Sequence, residues 1–400
     1  MSEILAATTE FGMQGSGDWS DPELRELDYR QTAFKLFQDT PTPFTKFLSM
    51  VPSSSVKDPQ FRIYEWRLPM MAWTQTDAQA DPDVTLVFEV VDGTGDGIKI
   101  GDFLKNERTG EIVRVTARTA NNFTAGERGW GVGTGINSAV NDVWRWVGDA
   151  YAEGTDAPEA VSRRASVIEN FCQIFKDSAD ITGTAKETDM RPFKSWTQLK
   201  AEALERLMIK MESSFLWGIQ HETTGANGKP FRTTGGFYEL IDAAGYSTDM
   251  SSITIDMLEN ELQTVFTYGS KKKMALIGYT ALNYINKLVR DNTVFNFNAP
   301  LPKTQTYGLN VRTLTCPFGE LGLIPHPLMA ESAEYTDHCY IIDPKYVEYV
   351  YLRNRDVKWK DNSQGPGYDQ QKGHFLAECG LRLALPECHA AWYGISSLGT

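Results

Sequence analysis

The sequence predicts an α+β protein, on three observations. Segments of alternating residue type, separated by glycine-rich turns, fill residues 59–150 and return after residue 339. One long amphipathic helix with its own start signal opens at Ser195. Residues 223–340 then mix helices with short apolar strands.

Residues 1–58 come first. Gly15-Ser-Gly-Asp and Thr40-Pro-Thr-Pro-Phe are turn or extended signals, and residues 24–37 between them can hold a short helix. The segment reads as an arm that must lie on other surfaces, or as a frayed terminus. Strand patterns follow at 61–68, 84–90, 111–117 and 143–147. Asp92-Gly-Thr-Gly-Asp-Gly and Arg108-Thr-Gly supply tight turns. Residues 83–148 are therefore expected to form a small antiparallel β-module, carried at the tip of a long hairpin over 59–165.

Ser195-Trp-Thr-Gln198 is a capping-box pattern, with a hydroxyl at the cap and an amide three residues on. Trp196, Leu199, Ala203, Leu207, Met208, Met211 and Phe215 recur mostly at spacings of three and four. Glu202 and Arg206 form an i, i+4 pair. The helix is expected over 195–220, roughly 38 Å at 1.5 Å per residue. One apolar stripe and one wet face suit it to lie across a sheet.

Further on, Thr254 caps a helix carrying Met257, Leu258, Leu262, Val265 and Phe266. Met274-Ala-Leu-Ile-Gly is a short buried strand, and residues 279–289 make a second helix with Leu282, Ile285 and Leu288 on one face. Pro317-Phe-Gly-Glu turns a hairpin. Strands at 339–342, 347–352 and 375–385 close the chain, the last ended by Pro386, and residues 390–395 finish it.

Composition narrows the function. Of 400 residues, 41% are hydrophobic and 12% aromatic, which is ample for a core. A net charge of −13 repels nucleic acid and anionic membrane, so a dedicated nucleic-acid binder is disfavoured. No uncharged apolar run of about 18 residues exists, so no membrane span is expected. The N-terminus lacks the pattern of a signal peptide. The five cysteines are odd in number and form no CxxC pair, which fits reduced thiols.

The stretch most suggestive of chemistry is Gly126-Glu-Arg-Gly-Trp-Gly-Val-Gly-Thr-Gly135. A dinucleotide fingerprint needs GxGxxG, and a phosphate loop needs GxxxxGK[ST]. Here the glycines from Gly129 to Gly135 fall every second residue, and no lysine occurs between Lys105 and Lys176. The stretch reads as a mobile β-connection whose conformation a neighbouring subunit sets, gripped by Arg128 and Trp130, or as an ordinary local turn. Asp337-His-Cys339 and Glu387-Cys-His389 come nearest to ligand clusters. Both read as strand, where neighbours point to opposite faces, so no metal and no other cofactor is expected. No GxSxG elbow appears, and Cys172 reads as a buried structural thiol. No catalytic residue is assigned and no enzymatic activity is expected. Basic clusters remain at Arg163-Arg164 and at Lys271, Lys272 and Lys273, the latter beyond a helix C-terminus where cations suit the dipole. With Arg128 and Trp130 they are the candidate inter-subunit contacts; for the basic clusters the alternatives are solvated surface or a local nucleic-acid contact.

The order of parts is arm, long β-loop, long helix, α+β insert and closing strands. Arms and long loops cannot stabilise themselves and gain stability on other subunits. In this order the chain resembles the major capsid proteins of tailed phages with the Hong Kong ninety-seven-type fold. Gly101-Asp-Phe-Leu, Thr109-Gly-Glu-Ile-Val-Arg-Val-Thr, Glu127-Arg-Gly, Glu153-Gly, Phe171-Cys-Gln-Ile-Phe and Ile181-Thr-Gly-Thr184 resemble a subgroup with a β-domain inserted in the extended loop. The resemblance implies an N-terminal arm at 1–58, an extended loop at 59–165, a peripheral domain at 166–222 with the spine helix, and an axial domain at 223–344. Residues 345–400 would supply completing strands.

It also implies a self-assembling shell of hexamers and pentamers around double-stranded DNA in weak, non-specific contact. The shell would assemble in the host cytoplasm, with decoration, scaffolding and portal proteins as further partners. The family's type member carries a helical scaffolding segment before the arm; the pattern of residues 1–58 leads us to expect a matured chain or a separate scaffolding protein, and with no Asn partner identified for Lys105 the cross-linking chemistry is not carried over. An encapsulin-like nanocompartment shell, an enzyme whose site the sequence hides, and a fibrous tail module are the rival readings.

Overall fold

The computed structural model describes residues 42–49, 51–66, 71–79, 86–91, 93–156, 165–188, 195–291, 305–306, 309–310 and 312–399. The expected arm helix at 24–37 and the pair Arg163 and Arg164 lie outside the described residues. The chain divides into two compact units, Met1–Ile63 with Ile168–Thr400, and Tyr64–Val167.

In the smaller unit the strands run in the order Ala72–Thr74, Val143–Asp149, Asp102–Asn106, Ile112–Arg118, Asn122–Ala125 and Val87–Glu89. The two outer strands then meet, Thr76 N donating to Glu89 O at 2.9 Å and Val91 N to Thr74 O at 3.2 Å. The sheet therefore closes on itself, which removes its free edges. Alternate residues point inward, and Trp73, Phe88, Leu104, Val113, Phe123 and Trp144 fill the centre. Phe88 stacks on Phe123 at 4.9 Å, and Trp144 meets both edge-on. The indole N–H of Trp144 donates to Gln75 Oε1 at 2.8 Å, and Gln75 Nε2 to Ser138 Oγ at 2.8 Å, so the buried polar atoms are satisfied.

The larger unit holds two main sheets. The first orders Ser53–Val56, Val347–Leu352, Gln370–Leu383 and Gln173–Thr182, with Lys358–Lys360 also paired to Gln370–Leu383. Only the first pair is parallel. The long helix Trp196–Trp217 crosses this sheet, and its start is the capping box that the sequence predicts: Gln198 N donates to Ser195 Oγ and Ser195 N to Gln198 Oε1. Its inward residues Ala203, Leu207, Met211 and Phe215 pack with Phe175, Ala179, Phe375 and Ala377.

The helix stops three residues short of the expected end. Gly218 turns extended, and a side chain there would meet Ser214 O at 2.4 Å and Thr234 O at 2.6 Å. The hairpin His221–Thr224 with Pro230–Thr233 follows.

The second sheet orders Ser247–Asp249, Ala390–Tyr393, Cys339–Ile342, Lys272–Ile277, Gly319–Pro325 and Arg312–Cys316. Its central strand alternates between two cores: Met274 and Leu276 join the core under the long helix, while Ala275 and Ile277 join helices Ile255–Thr267 and Tyr279–Asp291. The last strand of the chain thus completes the second sheet, and Gln370–Leu383 the first. Glu387-Cys-His389 departs from the strand expected there: Pro386–Cys388 is a single 3-10 turn after Leu385, which sits at φ 49°.

Candidate functional site

The glycine stretch is organised by one carboxylate. Glu111 is buried; its Oε1 accepts from Arg128 Nε at 2.7 Å and from Gly129 N at 3.0 Å. Its Oε2 accepts from Arg128 Nη2 at 2.9 Å and from Ile136 N at 3.2 Å. Arg128 also donates to Ile136 O at 2.6 Å and lies 4.9 Å over the Phe88 ring. A two-pronged, hydrogen-bonded pair of this kind compensates both buried charges.

Gly129 has φ +63°, and a side chain there would meet Thr134 O at 2.1 Å, so the turn requires glycine. The base of the loop is held inside the unit, where the Arg128 guanidinium is buried against Glu111. Two of the amides a phosphate would use are already taken by Glu111. The tip is different: Val132 is 79% exposed, and Trp130, half in solvent, leans edge-on against Phe103 at 5.1 Å.

The three lysines separate in the same way. Lys271 and Lys272 are exposed, Lys272 pairing with Glu320 at 3.0 Å. Lys273 is buried and donates to Val265 O, Tyr268 O and Cys388 O at 2.6–2.9 Å. The first two carbonyls end helix Ile255–Thr267, so the dipole reading holds for Lys273, whose ammonium bonds inside the fold.

A third polar centre escaped the sequence. Helix Pro43–Leu48 makes no side-chain cap bond from its own Thr42. Its first amides are taken instead by Glu212 of the long helix, which is fully buried. Glu212 Oε1 accepts from Phe44 N at 2.7 Å, and Oε2 from Thr45 N and Oγ1. His326 Nε2 stands 2.8 Å from Oε1, while His326 Nδ1 accepts from Met329 N at 3.4 Å and so caps Pro327–Glu331.

A ring nitrogen that accepts carries no proton, so His326 holds its proton on Nε2 and donates it to Glu212. Three elements meet on one carboxylate, which holds Phe44, Phe47 and Leu48 in the core. A signal was present: Met208, Met211, Glu212 and Phe215 follow the i, i+3, i+4, i+7 spacing of an apolar face, so a carboxylate occupies a core position.

All five cysteines and the His389 imidazole are buried. Burial pushes the thiols of Cys172 and Cys339 up to about 12, where the reactive thiolate is scarce. Burial holds the His389 imidazole neutral, down to about 3, and its Nδ1 accepts from Asp343 N at 3.1 Å. Among the described residues no group of three or more His, Cys, Asp or Glu could hold a metal ion.

What the described surface offers is apolar contact area, unevenly spread. Fourteen of the 22 large apolar side chains left exposed fall in Tyr64–Val167, about a quarter of the chain. They include Tyr64, Trp66, Ile100, Val132 and Val147. A folded shape with interior struts and an apolar exterior defines a protein built to contact other proteins.

Comparison with known proteins gives that class its family. The family of the SU10 major capsid protein matches residues 9–396, and the chain belongs to it. Such a chain is a structural shell subunit of a phage. The major capsid protein of Pseudomonas phage PaMx41 is 22% identical over 401 residues, which covers 93% of both chains. Among solved structures, the capsid of an empty GTA particle aligns over 97% of this chain and 100% of that one, at 8% identity and a TM-score of 0.49. An encapsulin complex from Synechococcus elongatus aligns over 97% and 99%, at 9% identity and a TM-score of 0.45. A chain of Mycobacterium phage Bobi aligns over 93% and 96%, at 9% identity and a TM-score of 0.43.

Proposed function

We propose that the chain assembles into hexamers and pentamers of an icosahedral shell that encloses double-stranded DNA. The family match over nearly the whole chain carries this reading. In it, residues 1–58 are the arm, 59–165 the extended loop with its β-domain at 83–148, 166–222 the peripheral domain, and 223–344 the axial domain. Residues 345–400 complete both domains. The compact unit Tyr64–Val167 supports the extended-loop assignment, since it falls close to those bounds. The order of elements supports the Hong Kong ninety-seven-type arrangement.

The mechanism is geometric. Each subunit is fastened by several neighbours, and contacts that are weak singly add by multivalency. The exposed apolar side chains of the smaller unit are the surface that gains most from such cover, at about 25 cal/mol per Å² buried. Assembly in the host cytoplasm, with scaffolding, portal and decoration proteins as partners, belongs to the same reading. Electron microscopy of the expressed protein is its test: closed shells or hexameric capsomers are expected, and a persistent monodisperse monomer under assembly conditions contradicts it.

A further inference from the structure

The first sheet of the larger unit has a second face. Phe175, Ala179, Phe375, Ala377 and Trp359 point towards the long helix, so their neighbours along each strand point away from it. On that other side Lys176 and Lys358 flank Leu376, Ser178 and Lys360 flank His374, and Lys372 stands opposite Asp180. Neighbouring strands lie about 4.8 Å apart and alternate residues about 7 Å apart, so the backbone positions of these lysines span roughly 10 Å across the strands and roughly 14 Å along them.

Lys176, Lys358 and Lys360 are exposed and form no ion pair among the described residues; Lys358 donates only to Asn354 O at 3.4 Å. Of the acids on this face, Glu378 pairs with Arg355 at 2.5 Å, and Asp180 stands 3.8 Å from Lys372, a loose and solvent-exposed contact that a phosphate can replace. Ile174 is the single large apolar side chain exposed there. Protein–protein contacts are depleted in lysine and apolar at their centres. A lysine-rich, aromatic-poor face on a chain of net charge −13 therefore suits a polyanion better than a second copy.

We propose that this face, centred on Lys176, Lys358, Lys360 and Lys372, binds the phosphate backbone of double-stranded DNA without reading its sequence. The proposal rests on the reading that the shell encloses DNA, and it places the weak contact of that reading on one surface. Four lysines give an affinity that salt removes easily, which allows packaged DNA to slide and leave.

The test measures binding of a 30-base-pair duplex to unassembled full-length subunits by fluorescence anisotropy. For four phosphate contacts, affinity should fall about 150-fold between 50 and 200 mM monovalent salt. The triple variant Lys176→Glu, Lys358→Glu, Lys360→Glu should fall only about fourfold. The pair Lys271→Glu, Lys272→Glu, on the other sheet, should behave as the unaltered chain. A Lys→Gln triple variant should lose the same salt dependence, which guards against misfolding by the acidic substitutions. An unchanged salt dependence in both triple variants overturns the proposal. So does a triple variant that binds DNA normally but no longer closes shells, since the face then meets another subunit. Failure of the unaltered chain to form shells would count against the shell reading itself, whatever the anisotropy shows.

Discussion

In the larger unit each sheet has helices of its own to cover it. Trp196–Trp217 lies over the first sheet, and Ile255–Thr267 with Tyr279–Asp291 over the second. Among its described residues, eight large apolar side chains are left in solvent. In the smaller unit six strands close around Trp73, Phe88, Phe123 and Trp144, with no α-helix among its described residues. The outside of that barrel keeps its apolar side chains exposed. The difference teaches where each unit's requirements end. Among the described residues the larger unit exposes eight large apolar side chains and the smaller one fourteen in about a third of the length, as a part made for neighbours should.

Both units rest on a buried carboxylate, which gives a direct way to break the comparison. Glu212→Ala strands the N–H groups of Phe44 and Thr45 and the Nε2–H of His326 without an acceptor. A loss of about 3–5 kcal/mol is expected, confined to the larger unit, as read by denaturant unfolding with a probe in each unit. Glu111→Ala strands Arg128 and the amides of Gly129 and Ile136. Roughly 2–4 kcal/mol should be lost from the smaller unit, with faster amide exchange at those two residues, while the larger unit stays unchanged.

Acid sharpens the contrast by a smaller amount. Burial lowers the folded pKa of His389 to about 3, so its stabilising effect is present above the unfolded value of about 6.5 and is lost as pH falls towards 3. The loss is about 1.4 kcal/mol per pH unit. In the smaller unit the Arg108 guanidinium holds the Asp142 carboxyl down to about 2. Its contribution, about 1–2 kcal/mol with half-exposed Arg108 screened by solvent, is present above about 4 and is lost as pH falls towards 2. Between pH 6.5 and 4, acid should therefore weaken the larger unit and spare the smaller. His389→Asn, which keeps an acceptor for Asp343 N, should remove that difference in thermal unfolding.

The sequence showed what local chemistry decides. The capping box at Ser195, the stripe through Leu207, Met211 and Phe215, and the cation behind helix Ile255–Thr267 all act within a few residues, and each is seen in the structure. Distant pairings did not show. Glu111 and Arg128 are 17 residues apart, and Glu212 lies 168 residues from Phe44. Nothing in the sequence marks Arg128 and Lys273 as interior, because a charged side chain is usually solvated; only their partners place these two side chains inside. Closure of the barrel depends on strand register between Thr74 and Val91, which no window of sequence contains.

The most direct test of the account is a density map of the assembled particle. Cryo-electron microscopy of the expressed chain should show closed shells in which Trp130 and Val132, at the tip of the glycine turn, are covered by a neighbouring copy while Arg128 keeps its bonds to Glu111. Particles in which the apolar exterior of Tyr64–Val167 stays in solvent, or a preparation that yields only monomers, would contradict it.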